Sequence, residues 1–398
     1  MEAKHHWHAL AATGTVGLAT VLWASCVIVS AAAAAEYSWE VSGSYEDVEA
    51  QAGAETSHSS LRATYYLSSV DDQAGPYELA PFLNRSSYVA VGRGRTKLRE
   101  QLFPDLVSYG TVDVFQSPDG IIDMGPIGTF GSPLTRQPTE FGLDSSEYAV
   151  DARYVWPGAG WYAGARAARS NADVLPVSPF AQTTADHESA GVFAGRYFGS
   201  RTTLELGLGS DTSSLEQRVR PFGIDPATGL PGLPGFPEFA SSELRIRTDT
   251  ETDDARLSIR YVGELGDSTF ALSASMHSSR SETHLQLPAP PNDLTPPERD
   301  IATIHPDEIY REFFESERER QFSLSGALFP TQALGVRVTY AESDRDTFGL
   351  NDRVSLSTNW FFIRNASIEI ELVRASSARR DSGAPDTDSL GVRLLGRF

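Results

Sequence analysis

The stretch Asp388–Phe398, DSLGVRLLGRF, alternates between two kinds of residue. Apolar residues or glycine occupy every second position from Leu390 onward, and Ser389 and Arg393 are among the residues between them. Because successive side chains of a β-strand point to opposite faces of the sheet, this pattern predicts a strand with one apolar face and one face in water. An edge strand of a soluble sheet has the same pattern, so alternation alone leaves both alternatives open.

The last residue of this stretch, Phe398, favours the membrane alternative. About ten alternating residues are enough to cross a bilayer as a strand, and an aromatic residue at the end suits the membrane interface. In this respect the stretch resembles the terminal strand of bacterial outer-membrane barrels. The resemblance implies that Phe398 is part of a C-terminal signal read by the barrel assembly machinery.

Residues 1–35 have the organisation of a secretory signal peptide. A short, weakly basic segment precedes an apolar one, and Ala33 and Ala35 supply the small residues of a cleavage site. We expect cleavage after Ala35, which leaves 36–398 as one exported domain. An uncleaved membrane anchor and lipidation at Cys26 are the alternatives.

The composition excludes several classes of protein. Acidic residues outnumber basic ones 53 to 33, and the formal charge of −20 argues against a nucleic-acid partner. A mean hydropathy of −0.27 excludes a polytopic helical membrane protein but not a barrel, whose lumen and loops are polar. The single cysteine lies in the leader, so the exported chain has no disulfide framework.

The same alternation recurs along the rest of the chain. Tyr37–Glu49 sets a charge-free apolar row against a row of serine and glutamate. The clearest hairpin, Glu147–Ala168, has Trp156 and Trp161 on either side of a PGAG turn, where an aromatic girdle would place them. A soluble hairpin with a cross-strand tryptophan pair is the alternative. The aromatic residues predicted at the membrane interface are Trp39, Trp156, Trp161, Phe198, Tyr261, Phe329, Trp360 and Phe362.

Short and long connections alternate between the predicted strands. The short turns lie at 198–201, 263–268, 330–333 and 363–367, and the long polar connections at 170–186, 220–240, 282–306, 342–347 and 378–386. Short periplasmic turns and long extracellular loops are typical of outer-membrane barrels, and strands in lipid cannot leave an unpaired edge. We therefore predict an all-β, transmembrane, antiparallel up-and-down β-barrel of about 14 strands, with 12 and 16 left open.

Two motifs resemble the general bacterial porin family of outer-membrane β-barrels. They are the connector Gly75-Pro76-x-x-Leu79-Ala80-x-Phe82-Leu83, followed by Arg85-Ser86-Ser87, and the hairpin YVWPGAGWYAGA. Residues 96–146 depart from the family, which has a short polar loop there. We expect a long loop insertion at 96–146, which either lies on the surface or folds inward to narrow the pore, or an additional hairpin around 109–115.

If the apolar rows face lipid, the opposite rows face a water-filled lumen. Charges of both signs occupy these rows, and the candidate lumen residues are Asp151, Arg153, Arg166, Arg245, Arg247, Arg256, Arg260, Arg337, Arg353, Glu369, Glu371 and Arg393. In porins that the chain resembles, arginines facing acidic residues create a transverse field that orients polar solutes. The alternative is that they are merely solvated inward positions.

The resemblance implies a channel for passive diffusion of small hydrophilic solutes and ions, in the outer membrane of a Gram-negative bacterium. Its partners are then the lipid bilayer, lipopolysaccharide, small polar solutes and the barrel assembly machinery, with a homotrimer left open. The acidic excess favours cations if the charge lies in the lumen, and the alternative is that most of it lies in the outer loops.

The alternatives belong to other classes of protein. A barrel with an occluded lumen would act in surface binding or adhesion through its long loops, and an enzyme would use serine and histidine at the rim. No catalytic motif is present, and we expect neither an enzyme nor a cofactor. His277 and His284 fall on opposite faces of a strand, so we expect no metal site there. For Asp249–Asp254, a solvated loop is favoured over a calcium site.

Overall fold

The computed structural model describes residues 36–50, 54–102, 139–175, 181–219, 244–286, 317–345, 349–377 and 387–398. They form 14 antiparallel strands in one closed barrel, which confirms the predicted fold class and strand number. The strands are β1 (Glu36–Ala50), β2 (Ala54–Asp71), β3 (Tyr88–Leu102), β4 (Thr139–Val155), β5 (Trp161–Leu175), β6 (Ala181–Phe198), β7 (Thr202–Val219), β8 (Leu244–Leu265), β9 (Ser268–Gln286), β10 (Glu317–Thr331), β11 (Leu334–Arg345), β12 (Gly349–Ile363), β13 (Ala366–Ser377) and β14 (Thr387–Arg397). The predicted signal peptide lies outside these ranges.

The barrel closes where the first strand pairs with the last. The register of β1 and β14 runs from Glu40 opposite Arg397 to Ala50 opposite Thr387. The backbone of Phe398 completes this seam: its N–H donates to the carbonyl of Trp39 at 2.9 Å, and its own carbonyl accepts from the N–H groups of Ser38 and Trp39. A closed ring leaves no strand edge unpaired, which is the condition for a sheet in hydrocarbon.

Side chains alternate between an outer and an inner row, as the period of two requires. Large apolar residues are exposed on the outer row, for example Val338 at 51% and Leu372 at 54%. On the inner row of β12, Ser357 and Asn359 are buried. A water-soluble barrel has the opposite arrangement, with polar residues outside, so the rows match a barrel that faces lipid.

The predicted interface aromatics divide between the two rows. The exposed ones on the outer surface are Trp39, Trp156, Trp161, Phe198, Tyr261, Trp360 and Phe362. The prediction for Phe329 was wrong, because this ring is 2% exposed and packs inside the barrel. The outer row of β10 runs through Phe322, Leu324 and Leu328, so the odd-numbered Phe329 must point inward.

The two ends of the barrel differ in their connections. At one end the turns are short: 156–160, 199–201, 266–267, 332–333 and 364–365. At the other end the strands run further than predicted: β3 continues to Leu102 and β4 begins at Thr139, so parts of the expected loop 96–146 are strand. β3 also pairs directly with β4. The rest of that insertion, including the alternative hairpin around 109–115, lies outside the described residues.

One connection at the short-turn end is longer than the others. Between β2 and β3 the chain forms two 3₁₀ turns, Asp72–Ala74 and Tyr77–Leu79, and then a short helix, α1 (Ala80–Leu83). We call residues 72–87 the inner connector. Among the described residues, no helix has the length and apolar character needed to cross a membrane.

Candidate functional site

Most of the predicted lumen residues lie on the inner row. These are Asp151, Arg153, Arg166, Arg256, Arg260, Arg337, Arg353, Glu369, Glu371 and Arg393, whose outer-row neighbours are exposed apolar residues. Arg247 was predicted wrongly: it shares the outer row of β8 with Leu257 and Ile259, and it pairs with Asp249 on the same row. The register of β8 has no bulge to change its face. The side chain of Arg245 is outside the description.

The inner wall carries paired charges of both signs. Glu40 accepts from Arg397 at 3.2 Å, and Glu369 lies 3.8 Å from Arg393. Further round the wall, Arg62 of β2 lies 3.8 Å from Asp151 of β4, and Arg166 of β5 lies 3.9 Å from Asp254 of β8. These charges lie inside a wall whose outer surface is apolar, so the lumen is polar, as in outer-membrane barrels.

The inner connector folds into the barrel rather than away from it. Its apolar residues Leu79 and Phe82 are buried against a cluster from the inner row of β4 to β10: Val155, Tyr162, Tyr197, Val262, Ala271, Ala327 and Phe329. The ring of Phe82 lies 5.7 Å from that of Tyr197, centroid to centroid. Ala80 packs instead with Tyr37, Tyr66 and Val70. Burial of these groups supplies the driving force that holds the connector inside.

Charged contacts fix the opposite side of the connector. Glu78 forms an ion pair with Arg337 of β11 and accepts from the side-chain amide of Asn359 at 3.3 Å. Asp72, which is 1% exposed, forms a two-pronged ion pair with Arg364 in the β12–β13 turn. The hydrogen bonds that Arg364 donates to Asp72 raise the pKa of Arg364. Both acidic groups therefore have the cationic partner that a buried carboxylate requires.

Backbone groups of the connector are also bound to the wall and turns. Arg397 donates to the carbonyl of Tyr77 at 2.8 Å, and Arg153 donates to that of Ser86 at 2.8 Å. Arg85 donates to the carbonyl of Gly199 in the β6–β7 turn. These contacts reach strands on opposite sides of the barrel, so the connector crosses the lumen near its short-turn end.

Two cavities lie on either side of the connector. The smaller, of about 160 Å³, lies between Glu78 and Pro81 and the inner row of β11 to β1. The larger, of about 430 Å³, lies between Phe82 and the inner row of β4 to β11. Arg337 lines both. The connector is therefore the element among the described residues that narrows the lumen at this end.

From the sequence, the connector contributed only a motif to the family resemblance, and a narrowing of the pore was considered for 96–146 instead. Two features could have shown its role. The connector is longer than the other turns at its end of the barrel, and it carries Leu79, Phe82 and Leu83. Apolar side chains in a turn exposed to water contribute no burial free energy to folding. A turn of this length and composition is therefore expected to bury them.

We expect the pair formed by Glu78 and Arg337 to contribute to stability. Each single change, Glu78→Gln or Arg337→Gln, leaves a half-buried charge without its partner and should cost about 1 to 2 kcal/mol. The double variant should cost less than the sum of the two, as measured by a double-mutant cycle in urea unfolding. The control is the exposed pair Arg201–Glu264 at the same end of the barrel, for which we expect coupling near zero. Equal coupling in the two pairs would contradict a specific role for Glu78.

The described residues contain no cluster of three or more histidine, cysteine, aspartate or glutamate side chains that could hold a metal ion. Asp249 and Asp253, from the acidic stretch weighed as a calcium site, share the outer row of β8 with Arg247.

No protein-family model matches the chain, and no curated protein matches its sequence. Solved structures that are similar in fold are outer-membrane β-barrels. The outer membrane protein Omp33 of Acinetobacter baumannii is 15% identical, with 92% of this chain and 99% of that chain covered and a TM-score of 0.43. The translocator domain of the autotransporter NalP from Neisseria meningitidis is 7% identical, with both chains covered completely and a TM-score of 0.41. The P. putida toluene transporter TodX is 10% identical, with 92% and 91% covered and a TM-score of 0.39. Similarity at this level concerns the fold alone.

Proposed function

We propose that the chain is an outer-membrane porin that forms a water-filled channel for passive diffusion of small hydrophilic solutes and ions. The observation that carries this proposal is the pair of rows on a closed barrel: exposed apolar side chains outside and charged side chains within. Soluble monomers rarely expose continuous apolar surface on this scale. A lipid bilayer covers such a surface, and the 14-strand wall is wide enough to leave an aqueous lumen.

The proposal includes a location and an orientation. Residues 1–35 direct export and are removed after Ala35, the barrel assembly machinery reads Phe398, and the short turns face the periplasm. The longer connections then face outward, next to lipopolysaccharide. Membership of the general bacterial porin family and assembly as a homotrimer are parts of the proposal that rest on the sequence motifs.

The inner wall supports passage without covalent chemistry. Fixed charges of both signs replace part of the hydration of a polar solute and disfavour apolar ones. The paired groups Glu369 and Arg393 line the smaller cavity, whereas arginines of β4 and β8 line the larger one on the other side of the connector. A polar solute that crosses this end therefore meets an asymmetric field.

A second candidate function is supported by the connector itself. Because residues 72–87 cross the lumen and are bound on both sides, the barrel could be closed and act as a surface-binding or adhesion protein through its longer connections. This candidate predicts no current through a correctly folded barrel.

Planar-bilayer recording separates the two candidates. We expect the purified barrel to give discrete, ohmic current steps in potassium chloride, and vesicles containing it to admit small sugars while excluding large ones. Folding is established first by the shift in gel migration on heating and by a β-sheet circular dichroism spectrum. A folded, inserted barrel that gives no current and no sugar uptake would overturn the channel proposal and favour the adhesion protein.

A further inference from the structure

The larger cavity beside the connector is rich in arginine. Arg153, Arg256, Arg260 and Arg337 line it, and Glu205 is the acidic residue among its lining groups. The chain as a whole carries a formal charge of −20. A cationic cavity inside an acidic protein is therefore a local feature that the composition does not predict.

The four arginines differ in how their charges are compensated. Arg337 is paired with Glu78, and Arg153 donates to the Ser86 carbonyl. Arg256 and Arg260 have no carboxylate partner within the part of the chain that the structure describes. Arg260 instead lies 4.7 Å over the ring of Phe82. An arginine held against an apolar ring without a counter-charge favours an anion from solution.

A second observation, independent of the arginines, also points to a ligand. Tyr197 lines the same cavity and is 4% exposed, yet its hydroxyl has no hydrogen-bond partner among the described residues. Buried polar groups are nearly always paired, so this hydroxyl lacks a partner that water or a solute in the cavity would supply. Hydroxyl groups continue along the wall, where Ser275 and Ser323 lie 2.8 Å apart and Thr339 donates to Ser325 at 3.1 Å.

The smaller cavity provides an internal comparison. Its charged lining residues form pairs: Glu40 with Arg397, Glu369 with Arg393, and Glu78 with Arg337. Among the residues that line the two cavities, the arginines without a carboxylate partner therefore lie beside the larger one, of about 430 Å³. Solutes that pass on this side therefore meet arginine guanidinium groups and side-chain hydroxyl groups.

We propose that Arg256, Arg260 and the Tyr197 hydroxyl form a binding site for a small oxyanion, a carboxylate or a phosphate, and make the pore select anions. The guanidinium fork matches the planar or tetrahedral oxygens of these groups. The proposal rests on the channel function for its transport consequence, whereas binding itself does not require current. It reverses the preference for cations that the acidic composition favours.

Two measurements test the site in the full barrel. In a potassium chloride gradient, the reversal potential of the native chain should lie toward the chloride value, and Arg256→Gln/Arg260→Gln should move it toward the potassium value. Inorganic phosphate and succinate, added separately, should reduce the chloride current, and the double variant should need at least about ten times more of either. Phosphate and succinate also distinguish the two oxyanion classes.

The control variant is Arg280→Gln, which removes the same charge from the outer row of β9, where Arg280 pairs with Glu282. It should leave selectivity and block unchanged. Arg256→Gln alone provides a variant that leaves the contacts of the connector intact, and it should show the same direction of change.

The outcomes separate this proposal from the channel proposal. A native barrel that conducts but prefers potassium, or whose block by both anions survives the double change, overturns the anion site and leaves the channel in place. If the native barrel carries no current, calorimetric titration with phosphate and succinate decides. Binding that the double variant loses supports the site, and no binding overturns it.

Discussion

Replacing residues 72–85 by six glycine and serine residues is expected to leave the barrel intact and to raise its single-channel conductance at least about twofold. The connector contributes no strand to the wall, so the backbone pairing of the 14 strands does not depend on it. Its removal joins the two cavities on either side of Phe82 and Glu78. A wider aqueous path carries more current.

The chain geometry allows this replacement. Tyr66 of β2 is paired with Tyr88 of β3, and β2 continues for five residues beyond that pair, to Asp71. The new link must therefore return about 17 Å at the rise of a strand. Six residues together with Ser86 and Ser87 can span about 26 Å, so the link need not strain either strand.

A matched control inserts the same six residues into the β8–β9 turn at Gly266 and Asp267. This turn lies at the same end of the barrel, but it is not part of the connector. Conductance should stay at the native value. If the connector replacement folds and conducts no better than this control, the connector does not limit the pore.

The sequence allowed the wall of this barrel to be predicted because the wall depends on local information. A strand between two solvents must alternate, and the alternation in β4, β12 and β14 is visible without any knowledge of neighbours. Strand ends were less predictable. The segment Ser170–Leu175 carries Asn171 and Asp173 on the outer row and was therefore taken for loop, yet it continues the β5 ladder.

The errors at Phe329 and Arg247 have one cause. Each residue was assigned from its chemical type, an aromatic at an interface and a cation in a lumen, rather than from its position in the alternation. Phe329 falls on the inner row and Arg247 on the outer row, and the strand period left no choice. An inward Phe329 is explained by the connector, because its ring packs in the cluster with Leu79 and Phe82. An outward Arg247 is explained by the length of β8, which places it near the long-connection end of the strand.

The candidate site was the least predictable part, because its contacts join distant residues. Glu78 meets Arg337, and Asp72 meets Arg364, across separations of 259 and 292 residues. No local pattern encodes such a pair. What the sequence does encode is the apolar content of the connector, and this content suggests a single change that should detach it.

That change is Leu79→Asp, for which we expect a detached connector inside an intact barrel. Leu79 is 0% exposed and packs in the cluster with Phe82 and Tyr197. Losing its apolar burial and placing a carboxylate there should cost about 4 kcal/mol or more of connector docking. Conductance should then rise toward that of the connector replacement, and trypsin should newly cleave after Arg85, whose side chain donates to the Gly199 carbonyl in the native chain.

Leu265→Asp is the control, because Leu265 is 69% exposed at the end of β8 and should tolerate the charge. A folded Leu79→Asp barrel with native conductance and an uncut Arg85 would mean that the ion pairs hold the connector without its apolar contacts, and the hydrophobic cluster would lose its assigned role.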